Sequence, residues 1–122
     1  MKSITPNLKV ENIEYSLKFY RDILGFEIVM ANPEKDPVWV MLRYGTAEIM
    51  LQQRISIEEE YPLLTGKQAG ALTFYVVTEN APELYEKINS SVEIIKPLSL
   101  TSYGRNEFAV KDPDGFIFTF AS

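Results

Sequence analysis

Neither cysteine nor histidine occurs among the 122 residues. Their absence removes disulfides, thiol nucleophiles, zinc–thiolate sites, haem-ligating histidine and imidazole bases, and with them most hydrolase and redox chemistry. Basic residues are also few: Lys and Arg number 12 against 17 Asp and Glu, a formal net charge of −5. That balance disfavours a nucleic-acid backbone or an anionic membrane as partner and mildly favours cationic ligands. No apolar run approaches the length of a bilayer span, and Met1-Lys2-Ser3-Ile4-Thr5-Pro6 does not read as a signal peptide, so a cytoplasmic location is expected. Gly-rich phosphate loops, a serine elbow with a partner base, and basic patches with interleaved aromatics are missing as well. What remains, 46% apolar and 24% charged residues, is the composition of one ordinary globular domain spanning 1–122.

Periodicity divides the chain into two similar halves. Ser3 to Val10 alternates like a strand; Ile13, Leu17, Tyr20 and Leu24 then recur at helical spacing, behind Asn12 as N-cap and before Gly25 as stop. Three strand-like runs follow, Phe26 to Ala31, Val38 to Arg43 and Ala47 to Gln53, the last two joined by Gly45-Thr46 with glycine suited to a type II′ turn. Residues 54–69 carry Pro62 and Gly66 without strand pattern, and read as a connection with a helical turn at Ile57 to Leu63. The run Glu58-Glu59-Glu60 is most simply a solvated face. The order then repeats: strand Ala71 to Val77, helix Ala81 to Ile88 with the Asn80/Glu83 capping pattern, and strands Val92 to Pro97, Asn106 to Lys111 and Phe116 to Ala121. Asp112-Pro113-Asp114-Gly115 reads as the last turn; it lacks the spaced ligands of a calcium loop. The expectation is an α+β fold of two βαβββ modules, 1–53 and 70–122.

Strand alternation assigns faces. The Gly45-Thr46 turn pairs Arg43 with Glu48, Met41 with Met50 and Trp39 with Gln52 on one face, leaving Val38, Val40, Leu42, Ile49 and Leu51 for the helix side. The last hairpin pairs Ala109 with Thr119 and Glu107 with Ala121, and sends Phe108, Val110, Phe116, Phe118 and Phe120 under a helix. In the first strand of each module, Ile4, Leu8 and Val10, and Leu72, Phe74 and Val76, take the same side. The second faces, with Thr5, Asn7 and Lys9, and Ala71, Thr73 and Tyr75, are mixed small, polar and aromatic. Such faces line a ligand groove if the sheets curve together, or else are wet or covered by another subunit.

Two stretches carry a resemblance to a known family. Leu8-Lys9-Val10-Glu11-Asn12 leads into Ser16-Leu17-Lys18-Phe19-Tyr20 and Leu24-Gly25-Phe26, and the second half contains Tyr103-Gly104-Arg105-Asn106-Glu107-Phe108-Ala109-Val110-Lys111-Asp112-Pro113-Asp114-Gly115. With the repeated module order, the whole chain resembles the glyoxalase / bleomycin-resistance / dioxygenase, or vicinal oxygen chelate, superfamily. The resemblance implies paired modules with curved mixed sheets forming an incomplete barrel around a groove, often completed by homodimerisation. Enzymes of the family hold one divalent metal through four side chains, typically His or Glu. The corresponding positions here are Thr5, Met50, Ala71 and Thr119, none a strong ligand, so no metal, cofactor or catalytic residue is expected.

The branch that the chain most resembles is the metal-free, bleomycin-resistance-like dimers that sequester a flat, often cationic antibiotic. Their aromatic–Gly pair is matched by Tyr103-Gly104, with Tyr where Trp is common. Candidate ligand contacts are therefore Trp39, Tyr75 and Tyr103 for stacking, Glu48 and Glu107 for a cationic group, and Met50, Gln52 and Thr119 on the same faces. The implied partner is an aromatic or cationic small molecule, with no nucleic acid and no membrane. Two other readings stand beside it: a superfamily lyase or dioxygenase with a relocated oxygen-ligand site at Glu48, Glu107, Gln52 and Tyr75, and a dimerisation module with no ligand.

Overall fold

The computed structural model describes residues 1–122, which divide into two compact units, Met1–Gln68 and Ala69–Ser122. Each unit is an open four-stranded mixed sheet with helices beside it, and neither sheet closes into a barrel. No helix is long and apolar enough to cross a membrane.

In the first unit the strands are β1 (Asn7–Val10), β2 (Glu27–Asn32), β3 (Trp39–Tyr44) and β4 (Ala47–Gln53), in the order β1-β4-β3-β2 with β1 parallel to β4. Gly45 has φ +58 while Thr46 keeps negative φ, and the turn sets the expected register of Trp39 with Gln52, Met41 with Met50 and Arg43 with Glu48. One face therefore gathers Val40, Leu42, Ile49 and Leu51 with Leu8 and Val10, all buried. Helix α1 (Ile13–Leu17) packs on β4; the Asn12 side chain accepts from the Tyr15 N–H at 2.8 Å and caps it. The helix widens into π-helical turns over Lys18–Ile23 and ends at Gly25, φ +87. In that segment the adjacent Phe19 and Tyr20 are both buried, and Leu24 is only half-buried.

After β4 the chain does not become a loop. Arg54–Glu60 form a second helix, α2, followed by a 3₁₀ turn at Pro62–Leu64, and α2 packs against β1 and β4. The helix starts and ends three residues earlier than the expected turn at Ile57 to Leu63.

The second unit repeats the plan with β5 (Thr73–Val77), helix α3 (Ala81–Ile88), β6 (Glu93–Leu100), β7 (Asn106–Lys111) and β8 (Ile117–Ala121), ordered β5-β8-β7-β6. The Asn80 side chain accepts from the Glu83 N–H at 3.0 Å, and α3 packs on β6 and β7. Phe108, Val110, Phe116, Phe118 and Phe120 are buried, with the Phe108 and Phe120 rings stacked at 5.2 Å. In the last turn the Asp112 carboxylate accepts from the N–H groups of Asp114 (2.9 Å) and Phe116 (2.7 Å). Gly115 takes φ +100, so these residues build a turn.

Several boundaries differ from expectation for identifiable reasons. The first strand begins only at Asn7 because Pro6 has no N–H for the ladder, and Ile4, expected in the core, is 78% exposed. Leu72 likewise lies before β5, outside the paired residues, and is 52% exposed. Strand β6 runs past Pro97 to Leu100 because it is an edge strand whose register shifts between Ile94 and Ser99 accommodate the proline.

Candidate functional site

The face of the first sheet opposite α1 carries a row across three strands: Lys9 pairs in register with Gln52, and Gln52 with Trp39. The next row is Asn7, Met50 and Met41. Because α2 follows β4 directly and folds against β1 and β4, it covers part of this face and leaves a cavity of about 510 Å³. The sheet contributes Asn7, Trp39, Met50 and Gln52, with Thr5 and Asn32 from the strand ends and Val38, which precedes β3 and so lines the cavity and not the helix side expected from alternation. The other wall is Ser56, Glu60 and Tyr61.

The polar groups here are organised. The Asn7 side-chain amide donates to Gln52 Oε1 at 2.7 Å, and Gln52 Nε2 donates to Ser56 Oγ at 3.0 Å. Gln52 is only 5% exposed, so these bonds meet the requirement that a buried amide be paired. The relay ties the sheet to α2. Trp39 and Tyr61 supply aromatic surface, and the Tyr61 phenol is held above its usual pKa by its hydrogen bond to the Glu60 carboxylate.

Just beyond the relay, Lys9 Nζ donates to Glu58 Oε1 at 2.5 Å and to the carbonyls of Leu64 (3.0 Å) and Lys67 (2.9 Å). The hydrogen bond from Lys9 is the main reason the Glu58 carboxyl sits below its usual value of 4.5. Glu58 is therefore not part of a freely solvated acidic face. Arg54 adds a 3.5 Å contact to Glu58 and a two-oxygen contact to Glu11 at 3.0 and 2.9 Å.

In the second unit Glu107 Oε1 accepts from two phenols, Tyr75 at 2.6 Å and Tyr103 at 2.7 Å. Those bonds, Tyr75's the larger, pull the Glu107 carboxyl below 4.5 and push both phenols above 10. Thr119 pairs in register with Tyr75, on the same face. Both tyrosines are exposed, and no helix of this unit covers them.

Of the eight candidate contacts, Trp39, Met50 and Gln52 line the cavity of the first unit, while Tyr75, Tyr103, Glu107 and Thr119 share a face of the second. Glu48 does not line the cavity; it pairs with Arg43 at 3.0 Å beside the Gly45 turn. Asn7 and Ser56, which hold the relay, and Glu60 and Tyr61 were not among the candidates. The signal that points to the α2 residues is the polar pair Ser56 and Glu60, four apart and so on one face of a helix.

The four positions that the resemblance assigns to metal ligands carry a poor donor set. Thr5 and Met50 offer a hydroxyl and a thioether to the cavity, Ala71 offers none, and Thr119 offers a hydroxyl. No three carboxylate, imidazole or thiolate side chains come together. The residues present do not fit a divalent ion of the kind bound by His and Glu.

A family model described as Glyoxalase/Bleomycin resistance protein/Dioxygenase superfamily matches residues 4–120. Comparison with curated proteins finds no match. Among solved structures, a protein of unknown function from Agrobacterium tumefaciens str. C58 is similar with TM-score 0.81 and 25% identity, covering 99% of this chain and 93% of that one. A glyoxalase-related enzyme from Fulvimarina pelagi superimposes with TM-score 0.82 at 17% identity, over 99% and 88% of the two chains. A superfamily member from Sphaerobacter thermophilus DSM 20745 gives TM-score 0.74 at 24% identity, over 98% and 96%.

Proposed function

The chain belongs to the glyoxalase/bleomycin resistance protein/dioxygenase superfamily, and from that membership we propose that it is a metal-free small-molecule binding or sequestering protein resembling the bleomycin-resistance branch. The observation that carries the reading is the cavity of the first unit. Its volume of about 510 Å³ falls within the range of small-molecule sites. Its lining is mostly polar, with Asn7, Gln52 and Ser56 fixed by their mutual hydrogen bonds, and Met50, Trp39 and Tyr61 add apolar and aromatic surface. The same strand positions that serve enzymes as metal ligands here offer a thioether and a hydroxyl to that space, which suits contact with an organic molecule better than Lewis-acid catalysis. Trp39 and Tyr61 favour a flat, aromatic ligand, and the Glu60 carboxylate in the wall favours a cationic one.

The working assembly in this reading is a cytoplasmic homodimer, as the family resemblance implies, and its use is sequestration of the kind that confers antibiotic resistance. Calorimetric titration with a panel of planar aromatic amines, in buffer containing a metal chelator, tests the binding reading. Saturable binding by the parent protein and its loss in Met50→Trp, which fills the cavity, are expected. Binding that appears only on adding a divalent metal, or that Met50→Trp leaves unchanged, would contradict it. Native mass spectrometry at twice the 14.0 kDa chain mass tests the dimer.

A further inference from the structure

We propose that Lys9 is the positioning residue of the cavity wall: through Glu58 and two backbone carbonyls it holds α2 over the face of the first sheet, and so places Ser56, Glu60 and Tyr61. The inference rests on the cavity being the ligand site and adds what keeps that site formed. Helix α2 has seven residues, too few to be stable by its own hydrogen bonds, so contacts with the sheet must hold it. Its apolar contribution is small. Ile57 is its one buried side chain, while Ile55 on the helix and Leu63 on the following turn are exposed.

Polar links therefore carry much of the attachment, and Lys9 joins β1 both to α2 and to the segment that follows it. Its ammonium has three protons and three acceptors: Glu58 at 2.5 Å on α2, and Leu64 O (3.0 Å) and Lys67 O (2.9 Å) on the segment that follows. The Lys9 and Glu58 side chains are only 17% and 16% exposed, so this pair is less screened than a surface pair. Arg54, more exposed, reaches Glu58 at a longer 3.5 Å, and its stronger partner is Glu11. Without the Lys9 charge, Glu58 keeps the Arg54 contact on its own helix and a backbone hydrogen bond from Gly66, neither of which reaches the sheet, and its link to β1 is gone. Lys9 itself does not line the cavity; it acts through the helix that does.

Trp39 is the single tryptophan and lies across the sheet from Lys9 in the same row, so its emission reports on the wall without any ligand. Acrylamide quenching is compared for the parent protein, Lys9→Met, Glu58→Gln and Asn80→Ala, with far-ultraviolet circular dichroism as a check on folding. Lys9→Met is expected to raise the quenching constant of Trp39 about twofold, as local opening of a weakly held element does, with Glu58→Gln showing a smaller rise. Asn80→Ala loosens a helix of the second unit and is expected to leave the quenching at the parent value. Parent-like quenching in Lys9→Met, or an equal rise in Asn80→Ala, overturns the proposal. If Lys9→Met does not fold, Glu58→Gln decides alone: a rise with retained dichroism supports the role, and parent-like quenching overturns it. Failure of the ligand reading looks different, since the aromatic-amine panel then does not bind a parent protein whose Trp39 is still protected by Lys9.

Discussion

The two sheets share a strand order, β1-β4-β3-β2 and β5-β8-β7-β6, and each sets a capped helix against one face, yet their second faces differ. On the first sheet α2 folds over and shapes a cavity, tied down by the Asn7–Gln52–Ser56 relay and by Lys9. On the second, no helix of that unit covers the face, and Tyr75 and Tyr103 share the carboxylate of Glu107 in the open. The comparison teaches that the repeated scaffold fixes which face is core but leaves the other face free to diverge. A few residues after β4 decide whether that face becomes a pocket.

The largest expected effects sharpen the likeness of the two cores. Phe108→Ala in the second unit is expected to cost about 3–5 kcal/mol, and Leu51→Ala in the first about 2–5 kcal/mol, both side chains being fully buried. Urea unfolding measures both, and a loss below about 1 kcal/mol at either site would break the symmetry of core against open face. Next come the caps: Asn12→Ala and Asn80→Ala should each cost about 1 kcal/mol, because each side chain satisfies one backbone N–H at a helix start. A clear inequality between them would show that the helices are not equivalent.

Acid titration separates the second faces. Glu58 and Glu107 both have carboxyls below 4.5 in the folded protein, so each contributes stability that is present above 4.5 and is lost as pH falls through the lowered value. Carboxyl NMR titration of the parent protein is expected to find both midpoints below 4.5. Lys9→Met is expected to raise the Glu58 midpoint alone. Glu107→Gln is expected to bring the Tyr75 and Tyr103 phenols back toward 10 in an ultraviolet titration, since the carboxylate that holds their protons is gone. The smallest effect belongs to Arg43 and Glu48, an exposed pair beside a turn. Glu48→Gln should change stability by less than about 1 kcal/mol in the same unfolding assay.

Strand registers were legible in the sequence wherever a tight turn fixed them. Gly45-Thr46 determines that Trp39 faces Gln52, and Asp112 to Gly115 determines that Ala109 faces Thr119, because side chains alternate and a two- or four-residue turn leaves no slack. The ends of β1 and β5 were less legible, since pairing partners and not alternation decide where a strand begins; Ile4 and Leu72 alternate correctly and still lie in solvent. The cavity was half legible. Trp39, Met50 and Gln52 follow from register, whereas Ser56, Glu60 and Tyr61 depend on the chain turning back as α2, a tertiary choice fastened by Lys9 some fifty residues earlier in the chain. Glu58-Glu59-Glu60 illustrates the difficulty: composition makes the three equivalent, but folding pairs one, turns one to the cavity and leaves one to solvent.

The measurement that tests the account most directly is backbone amide NMR of the isotopically labelled protein during titration with a planar aromatic amine in the presence of a metal chelator. The account predicts saturable shifts concentrated at Trp39, Met50, Gln52, Ser56 and Tyr61, unchanged when chelator is present. Shifts that require added divalent metal, or that fall on Tyr75, Tyr103 and Glu107 while the first sheet stays silent, would contradict it.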